Sequence, residues 1–196
     1  MVIGIKRLTP ELAEDYVHFF DVTPHDDGTI KEELPCYCIT WRSDASYISD
    51  NRHWFLTREE RRERALDYVK SGSLQGYLAY CGDEIVGWCN ATADCRGGVD
   101  YLRSFWPIEE YDANVKVKSV FCFTVAPKVQ RMGVATRLLE YVCMDAAKEG
   151  FDFVEAYANK ENTDHACRGP FEMYEKCGFF QAGEKEGRIV MRKALK

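Results

Sequence analysis

Residues 125–136 form a short basic turn with features suited to binding a phosphate group. Their sequence is Val-Ala-Pro-Lys-Val-Gln-Arg-Met-Gly-Val-Ala-Thr. The pattern predicts a strand over residues 115–125, which Pro127 keeps from continuing, and a helix that begins at Gly133. The first N–H groups of a helix have no partner within it. Lys128 and Arg131 add positive charge. The turn therefore suits a pyrophosphate, although it is neither a P-loop nor a Gly-x-Gly-x-x-Gly motif, and an ordinary strand-to-helix turn is the alternative.

Two motifs in the second half of the chain resemble those of the GNAT (N-acetyltransferase) superfamily. Residues 130–135, Gln-Arg-Met-Gly-Val-Ala, are similar to its phosphate-binding signature Gln/Arg-x-x-Gly-x-Gly/Ala, and residues 123–127 resemble the strand that leads into it. Residues 173–179, Met-Tyr-Glu-Lys-Cys-Gly-Phe, are similar to the family's Y-x-K-x-G-F motif. Arg131 departs from the pattern, because many members carry glycine there.

This resemblance implies that acetyl-CoA is the cosubstrate. Its pyrophosphate is expected on the backbone amides of residues 130–135, with a hydroxyl from Thr136. The pantetheine arm is expected to pair with the main chain of residues 123–125, as an added strand does. The expected cofactor-binding residues are Phe123, Thr124, Val125, Gln130, Arg131, Met132, Gly133, Val134, Ala135 and Thr136.

The resemblance also implies direct attack of an amine on the thioester, which needs a base, a carbonyl polariser and an acid. Tyr174 matches the motif tyrosine and is the expected acid toward the departing thiolate, and a tyrosine that merely packs under its helix is the alternative. A backbone N–H near Val125 is the expected polariser. An acetyl-cysteine route through Cys36, Cys38 or Cys122 is a further alternative.

Glu155 is the expected contact to the acceptor amine, directly or through water. Residues 115–125 contain no carboxylate, although many family members have a glutamate on that strand. Glu155, Tyr157 and Asn159 alternate along the next predicted strand and therefore share one face. A solvated edge carboxylate is the alternative interpretation of Glu155.

Other polar side chains have weaker patterns. Asn162 and His165 lie in a predicted loop, where a solvated histidine is the ordinary outcome. The triplet at residues 25–27, His-Asp-Asp, cannot easily point three side chains at one ion, so no metal site is expected. The turn at residues 21–28 is instead expected at the rim of the acceptor site. Its acidity, like that of residues 109–112, suits either a cationic acceptor or an ordinary solvated loop.

Composition bounds the class of protein. The 196 residues are 46% hydrophobic and 30% charged, with a net charge of −6. This acidic balance disfavours nucleic acid and anionic membrane surfaces as partners. The chain has nine cysteines without a Cys-x-x-Cys pair, and its start lacks the apolar stretch of a signal peptide. These features predict reduced thiols in a cytoplasmic protein. A monomer or a homodimer is expected. Cys122, Cys143 and Cys177 are expected to pack in the core.

Sequence patterns predict the elements that must position these groups. Strands are predicted at residues 2–8, 74–81, 84–92, 115–125, 152–158, 179–181 and 188–192, and helices at 9–20, 57–70, 133–149 and 171–177. Residues 94–114 are predicted to be a long connection or lid, because they contain Gly97, Gly98 and Pro107.

We therefore expect a single α/β domain over residues 1–196, with a mixed, mostly antiparallel sheet of six or seven strands flanked by helices. Residues 1–114 would form the acceptor side and residues 115–192 the acetyl-CoA-binding core. The expected function is acetyl transfer from acetyl-CoA to a primary amine on a small molecule or peptide, in a ternary complex. A CoA-binding sensor without turnover is the alternative.

Overall fold

A seven-stranded mixed sheet organises the chain. The computed structural model describes residues 2–23, 35–43, 57–93, 96–112, 114–159 and 166–196. The strands are β1 (Gly4–Arg7), β2 (Gly76–Cys81), β3 (Glu84–Thr92), β4 (Val117–Val125), β5 (Phe153–Asn159), β6 (Phe180–Lys185) and β7 (Arg188–Ala194). Their order across the sheet is β1-β2-β3-β4-β5-β7-β6, and every neighbouring pair is antiparallel except β4 and β5. The prediction of a mostly antiparallel α/β sheet is confirmed.

Within the described ranges, five helices accompany the strands. They are α1 (Ala13–Val22), α2 (Arg58–Lys70), α3 (Arg96–Arg103), α4 (Val134–Lys148) and α5 (Phe171–Lys176). Single turns of 3-10 helix cover Pro10–Leu12, Pro127–Val129 and Ala166–Arg168. Thr57 and Glu60 form a capping box at the start of α2, in which each side chain binds the other residue's N–H.

Helices cover both faces of the sheet. Tyr77 and Ala79 of β2 pack in the same buried cluster as the inner face of α4, while Leu78 and Tyr80 pack with α1 and α2. Adjacent residues of a strand point to opposite faces, so α4 lies on one face and the α1–α2 pair on the other. Gly87 permits the close approach of α4, because a Cβ there would lie 2.9 Å from Val134 Cγ1.

The prediction of one long connection at residues 94–114 is wrong in part, because α3 occupies Arg96–Arg103. Two glycines made a helix unfavourable on propensity alone. Tertiary packing decides otherwise, since Leu102 is fully buried and Trp106 and Ile108 are buried beside it in a small apolar cluster. None of the helices among the described residues has the length and apolar character needed to cross a membrane.

Candidate active site

Strands β4 and β5 separate in the middle of the sheet. Residues 117–120 pair in parallel with residues 153–156, and both strands continue beyond this ladder, to Val125 and Asn159. The main chain of β4 after Val120 is therefore not bonded to β5. An extended ligand can supply the missing pairing, as in other cases of strand addition.

A bulge lies at the point of separation. Cys122 of β4 opposes Asn90 of β3, whereas Val120 opposes the next β3 residue, Ala91, so Phe121 is an extra residue in the ladder. Such a residue re-aims the side chains around it. Phe121 accordingly packs in a cluster apart from its neighbours Val120 and Cys122, which lie in the clusters on the two faces of the sheet.

The phosphate turn, residues 130–136, directly follows the open end of β4. Arg131 and Gly133 both have left-handed backbone conformations, with φ of 60° and 82°. The N–H of Arg137 donates to the Gly133 carbonyl at 3.0 Å, which makes it the first N–H bonded within α4. The four N–H groups before it, from Gly133 to Thr136, have no partner in the helix. The turn therefore presents donors together with the positive end of a fifteen-residue helix.

The phosphate turn has open space beside Gly133 and is held to the end of β4 by a hydrogen bond, and both features suit ligand binding. A Cβ built on Gly133 would meet no atom within 4 Å, and Arg131 and Met132 are exposed. The Gln130 side-chain amide donates to the Val125 carbonyl at 3.2 Å and so ties the turn to the end of β4. Lys128 is bound to Glu84 in an exposed ion pair, which leaves Arg131 as the cation of the turn without a described ion pair.

A surface pocket of about 530 Å³ adjoins the segment that leads into the turn. Its walls include Val22 and Thr23 at the end of α1, Tyr80 of β2, and Ala126 and Lys128 before the turn. The first half of the chain and the end of β4 therefore border one concave surface.

Tyr174 is fully buried on α5, close to β4. Its hydroxyl donates to the main-chain carbonyl of Arg168 at 2.5 Å. A Cβ built on Gly169 would lie 3.3 Å from this hydroxyl and 3.4 Å from Phe123 Cε2, so the turn before α5 contacts both residues. Burial raises the pKa of the Tyr174 phenol well above its ordinary value, and the group is therefore protonated at neutral pH.

Glu155 is buried, with 1% of its surface exposed, so the alternative of a solvated carboxylate is wrong. Tyr111 donates to Oε2, and Arg192 donates to the same oxygen through Nε at 3.2 Å and Nη2 at 3.1 Å. The Tyr157 hydroxyl donates to Oε1 at 3.1 Å. Glu155 lies opposite Ser119 in the paired part of β4 and β5, before the strands separate. Both oxygens are therefore already bound.

Tyr157 connects this carboxylate to the opening. It is the first β5 residue past the parallel ladder, and its hydroxyl also lies 3.1 Å from Ser119 Oγ on β4. Its ring contacts that of Phe121, the extra residue in the bulge, with centroids 5.4 Å apart. Period-two alternation placed Tyr157 on the face of Glu155, but it carried no sign of the bond to Ser119.

Two buried cysteines, one of them on β4, contact each other. Cys38 and Cys122 bring their sulfur atoms to 2.7 Å as free thiols. The contact with Cys38, together with burial, raises the pKa of Cys122 well above its ordinary value. A thiolate is the reactive form, so this environment opposes an acetyl-cysteine route through Cys122. Cys143 and Cys177 are buried in the core, as expected.

Several predicted positions lie outside the described residues, namely the triplet at 25–27, Asn162 and His165. Sequence patterns missed Arg168, Trp106, Tyr111 and Arg192, because none belongs to a local motif. Among the residues that the structure describes, no group of three or more His, Cys, Asp or Glu side chains is arranged to hold a metal ion.

A sequence model of the Acetyltransferase (GNAT) family matches residues 36–179. No curated protein matches the sequence significantly. Solved structures share the fold at low identity. A GNAT-family acetyltransferase from Streptococcus pneumoniae is 18% identical, with 100% of both chains covered and a TM-score of 0.56. An N-acetyltransferase from Staphylococcus aureus Mu50 is 11% identical, also with 100% of both chains covered and a TM-score of 0.57. The PaiA N-acetyltransferase from Thermoplasma acidophilum, solved with coenzyme A, is 16% identical, with 99% of both chains covered and a TM-score of 0.55.

Proposed function

The chain belongs to the GNAT family of acetyltransferases, and from this premise we propose that it transfers an acetyl group from acetyl-CoA to a primary amine by direct attack in a ternary complex. One observation carries the proposal: the unpaired stretch of β4 runs directly into a left-handed turn whose free N–H groups begin α4. A strand edge followed by an anion site is the chemistry required by a pantetheine arm that ends in a pyrophosphate.

The residues present fit this cosubstrate. In the proposal Phe123, Thr124 and Val125 pair with the pantetheine amides. The N–H groups of Arg131 and residues 133–135 bind the pyrophosphate, with a hydroxyl from Thr136 and the charge of Arg131. The expected use of the Gln130 and Met132 N–H groups is wrong, because these already donate to the carbonyls of Pro127 and Val129 at 3.3 Å. The structure of the Thermoplasma acidophilum protein contains coenzyme A, and that of a putative acetyltransferase from Salmonella typhimurium, YncA, contains acetyl-CoA. When bound, acetyl-CoA supplies an activated acetyl group. Residues 1–114 are proposed to form the acceptor side.

In the proposed reaction a C–N bond forms as the C–S bond breaks. Tyr174 gives its phenolic proton to the departing thiolate, and for this its hydroxyl must turn from the Arg168 carbonyl to the sulfur. A backbone N–H near Val125 polarises the carbonyl. These are the roles that the family resemblance implies for this chain, and the position of Tyr174 beside Phe123 supports the first of them.

Glu155 is proposed as a positioning residue that acts through Tyr157. Tyr111, Tyr157 and Arg192 already bind its carboxylate, so an amine in the opening would meet the Tyr157 hydroxyl before it met Glu155. The hydroxyl of Tyr157 donates to Glu155 and accepts from Ser119, and its second lone pair can accept a hydrogen bond from the amine or from a water. Of the two protons that an ammonium sheds on becoming an amide, one would leave to solvent before the attack and the other would replace the proton that Tyr174 gives to the thiolate.

Two measurements on the purified chain test the proposal. Calorimetric titration with acetyl-CoA measures binding, and release of free thiol in the presence of a panel of primary amines measures transfer. The proposal expects binding together with amine-dependent thiol release. Tight binding of CoA without turnover on any amine would favour the sensor instead, and absence of CoA binding would contradict both functions.

A further inference from the structure

Arg168 places its guanidinium over the opening between β4 and β5. Its Cζ lies 4.6 Å from the ring centre of Trp106 and 5.7 Å from that of Trp41. The Trp106 indole donates to the Ala158 carbonyl of β5 at 3.3 Å, past the parallel ladder. Trp41 stacks on Phe121 of the β4 bulge with ring centres 4.7 Å apart. One flanking ring is thus anchored to each of the two separating strands.

The same residue contacts the proposed acid through its main chain. The Arg168 carbonyl accepts the hydrogen bond of Tyr174, and the following residue, Gly169, adjoins both Tyr174 and Phe123. Arg168 therefore lies between the place where the thioester would react and the aromatic walls of the opening. This position is on the side of the reacting acetyl group, whereas the phosphate turn lies at the far end of β4.

The charge of Arg168 has no acidic partner within the described residues. Its Nε and Nη1 atoms are shielded from solvent, and neither has a hydrogen-bond acceptor in that part of the chain. Burial lowers the pKa of this guanidinium, which is the expected cost of an uncompensated charge. Contact with two indole rings offsets part of that cost, but it does not satisfy N–H groups.

A second guanidinium increases the positive charge at the same ring. Arg188 of β7 has its Cζ 5.3 Å from the ring centre of Trp106 and 5.3 Å from that of Phe105. Arg188 has no ion pair among the described residues either. Two cations at one indole are costly without a counter-ion, and the described part of the chain supplies none to either guanidinium.

From this arrangement we propose that the acceptor is an amine that also carries a carboxylate, and that Arg168 binds the carboxylate while the amine faces the reacting acetyl group. The inference rests on the proposed acetyl transfer. A guanidinium is a planar set of N–H donors that matches a carboxylate, and aromatic walls exclude the water that would compete for it. Arg168 is then a specificity-determining residue, and amino acids or peptides with a free C-terminus are the acceptor class.

The test compares matched acceptors on wild-type protein and the variants Arg168→Met and Arg168→Lys. Each pair contains an amine with a free carboxylate and its carboxamide, such as 4-aminobutyrate with 4-aminobutanamide, and a short peptide with its C-terminal amide. For Arg168→Met, we expect kcat/KM for the carboxylates to fall about tenfold to a hundredfold, with little change for the amides. Arg168→Lys keeps the charge and should retain part of the preference.

The decisive quantity is the ratio of kcat/KM for the carboxylate to kcat/KM for its amide, compared between wild type and variant. Differences in amine basicity within a pair affect both proteins equally and cancel in this comparison. Lys148→Met is the matched control, since it removes one exposed positive charge from the last turn of α4. An equal loss for both members of every pair in Arg168→Met, or no carboxylate preference in wild type, would overturn the proposal.

Direct binding separates this inference from the proposed function. Thermal shifts of the CoA-bound protein with each member of a pair report carboxylate recognition without turnover. If CoA binds but no amine is acetylated, a shift that requires both the carboxylate and Arg168 still supports the site, and equal shifts for acid and amide refute it. If CoA does not bind, the proposed function fails, and the thermal shifts are measured on the free protein. A shift that requires both the carboxylate and Arg168 then still supports the site, and equal shifts for acid and amide refute it.

Discussion

Gly133 and Gly150 stand at opposite ends of helix α4 in nearly the same left-handed conformation, with φ of 82° and 78°. A Cβ on either glycine would meet no atom of the protein within 4 Å. The two positions therefore impose equal backbone demands, but only Gly133 lies in the phosphate turn. They form an internal control for ligand binding.

Gly133→Ala and Gly150→Ala are expected to lose similar stability, about 1 to 2 kcal/mol each, because both place a side chain at positive φ. CoA affinity should fall about tenfold or more only in Gly133→Ala, where the methyl group fills the space that a phosphate would use. Denaturant unfolding and calorimetric titration check the two effects. Equal CoA affinity in both variants would remove the turn from the binding site.

Tyr174→Phe should lower kcat about a hundredfold or more if the phenol is the acid. Tyr16→Phe is the matched control, since Tyr16 is also buried and its hydroxyl donates to a main-chain carbonyl, that of Tyr37, at 2.7 Å. Each variant loses one such bond, at a cost of about 1 to 3 kcal/mol. Steady-state rates of thiol release decide the matter, and an equal fall in kcat for the two variants would indicate loss of structure rather than of an acid.

Glu155→Gln should be strongly destabilising, by about 3 to 5 kcal/mol, because it leaves Arg192 charged and without its buried partner. The double variant Glu155→Gln/Arg192→Met should recover much of that stability. If Glu155 also orients Tyr157, the double variant stays slow and its pH–rate profile matches that of Tyr157→Phe. Full recovery of kcat/KM across pH in the double variant would reduce Glu155 to a structural role.

Asp145 predicts how stability responds to acid. Its burial favours protonation, yet hydrogen bonds from Tyr77 and Arg7 outweigh burial and hold its pKa below the ordinary value of 3.8. A carboxyl group whose pKa is lower in the folded than in the unfolded protein adds stability at pH values above its unfolded-state pKa. This contribution is lost as the pH falls through its folded-state pKa. Asp145→Asn should therefore destabilise the protein at pH 7 and much less near pH 3 in urea titrations. Asp67→Asn, at an exposed position on α2, should change little at either pH.

The sequence predicted those features that neighbouring residues determine, and it missed those that depend on contacts between distant residues. The phosphate turn was recognisable because one glycine and its neighbouring residues specify a left-handed turn before a helix. The role of Arg168 was not recognisable, because its partners Trp41 and Trp106 come from distant parts of the chain. Glu155 was placed on the correct strand face, but its burial depends on Arg192 and Tyr111, which lie 37 and 44 residues away. Helix α3 was missed because its glycines disfavour a helix, whereas its apolar side packs against residues of β4, β5 and β7 that are distant in sequence.

The short ladder between β4 and β5 makes the sheet mechanically uneven. Four residue pairs join the β1–β4 half to the β5–β7 half, whereas seven join β5 to β7. Any force or fluctuation that opens the sheet will act first at the weaker seam. A cosubstrate that bonds to the unpaired part of β4 would reinforce the sheet at this seam. Slower amide hydrogen exchange in β4 on saturation with CoA would then measure the stiffness that the cosubstrate adds.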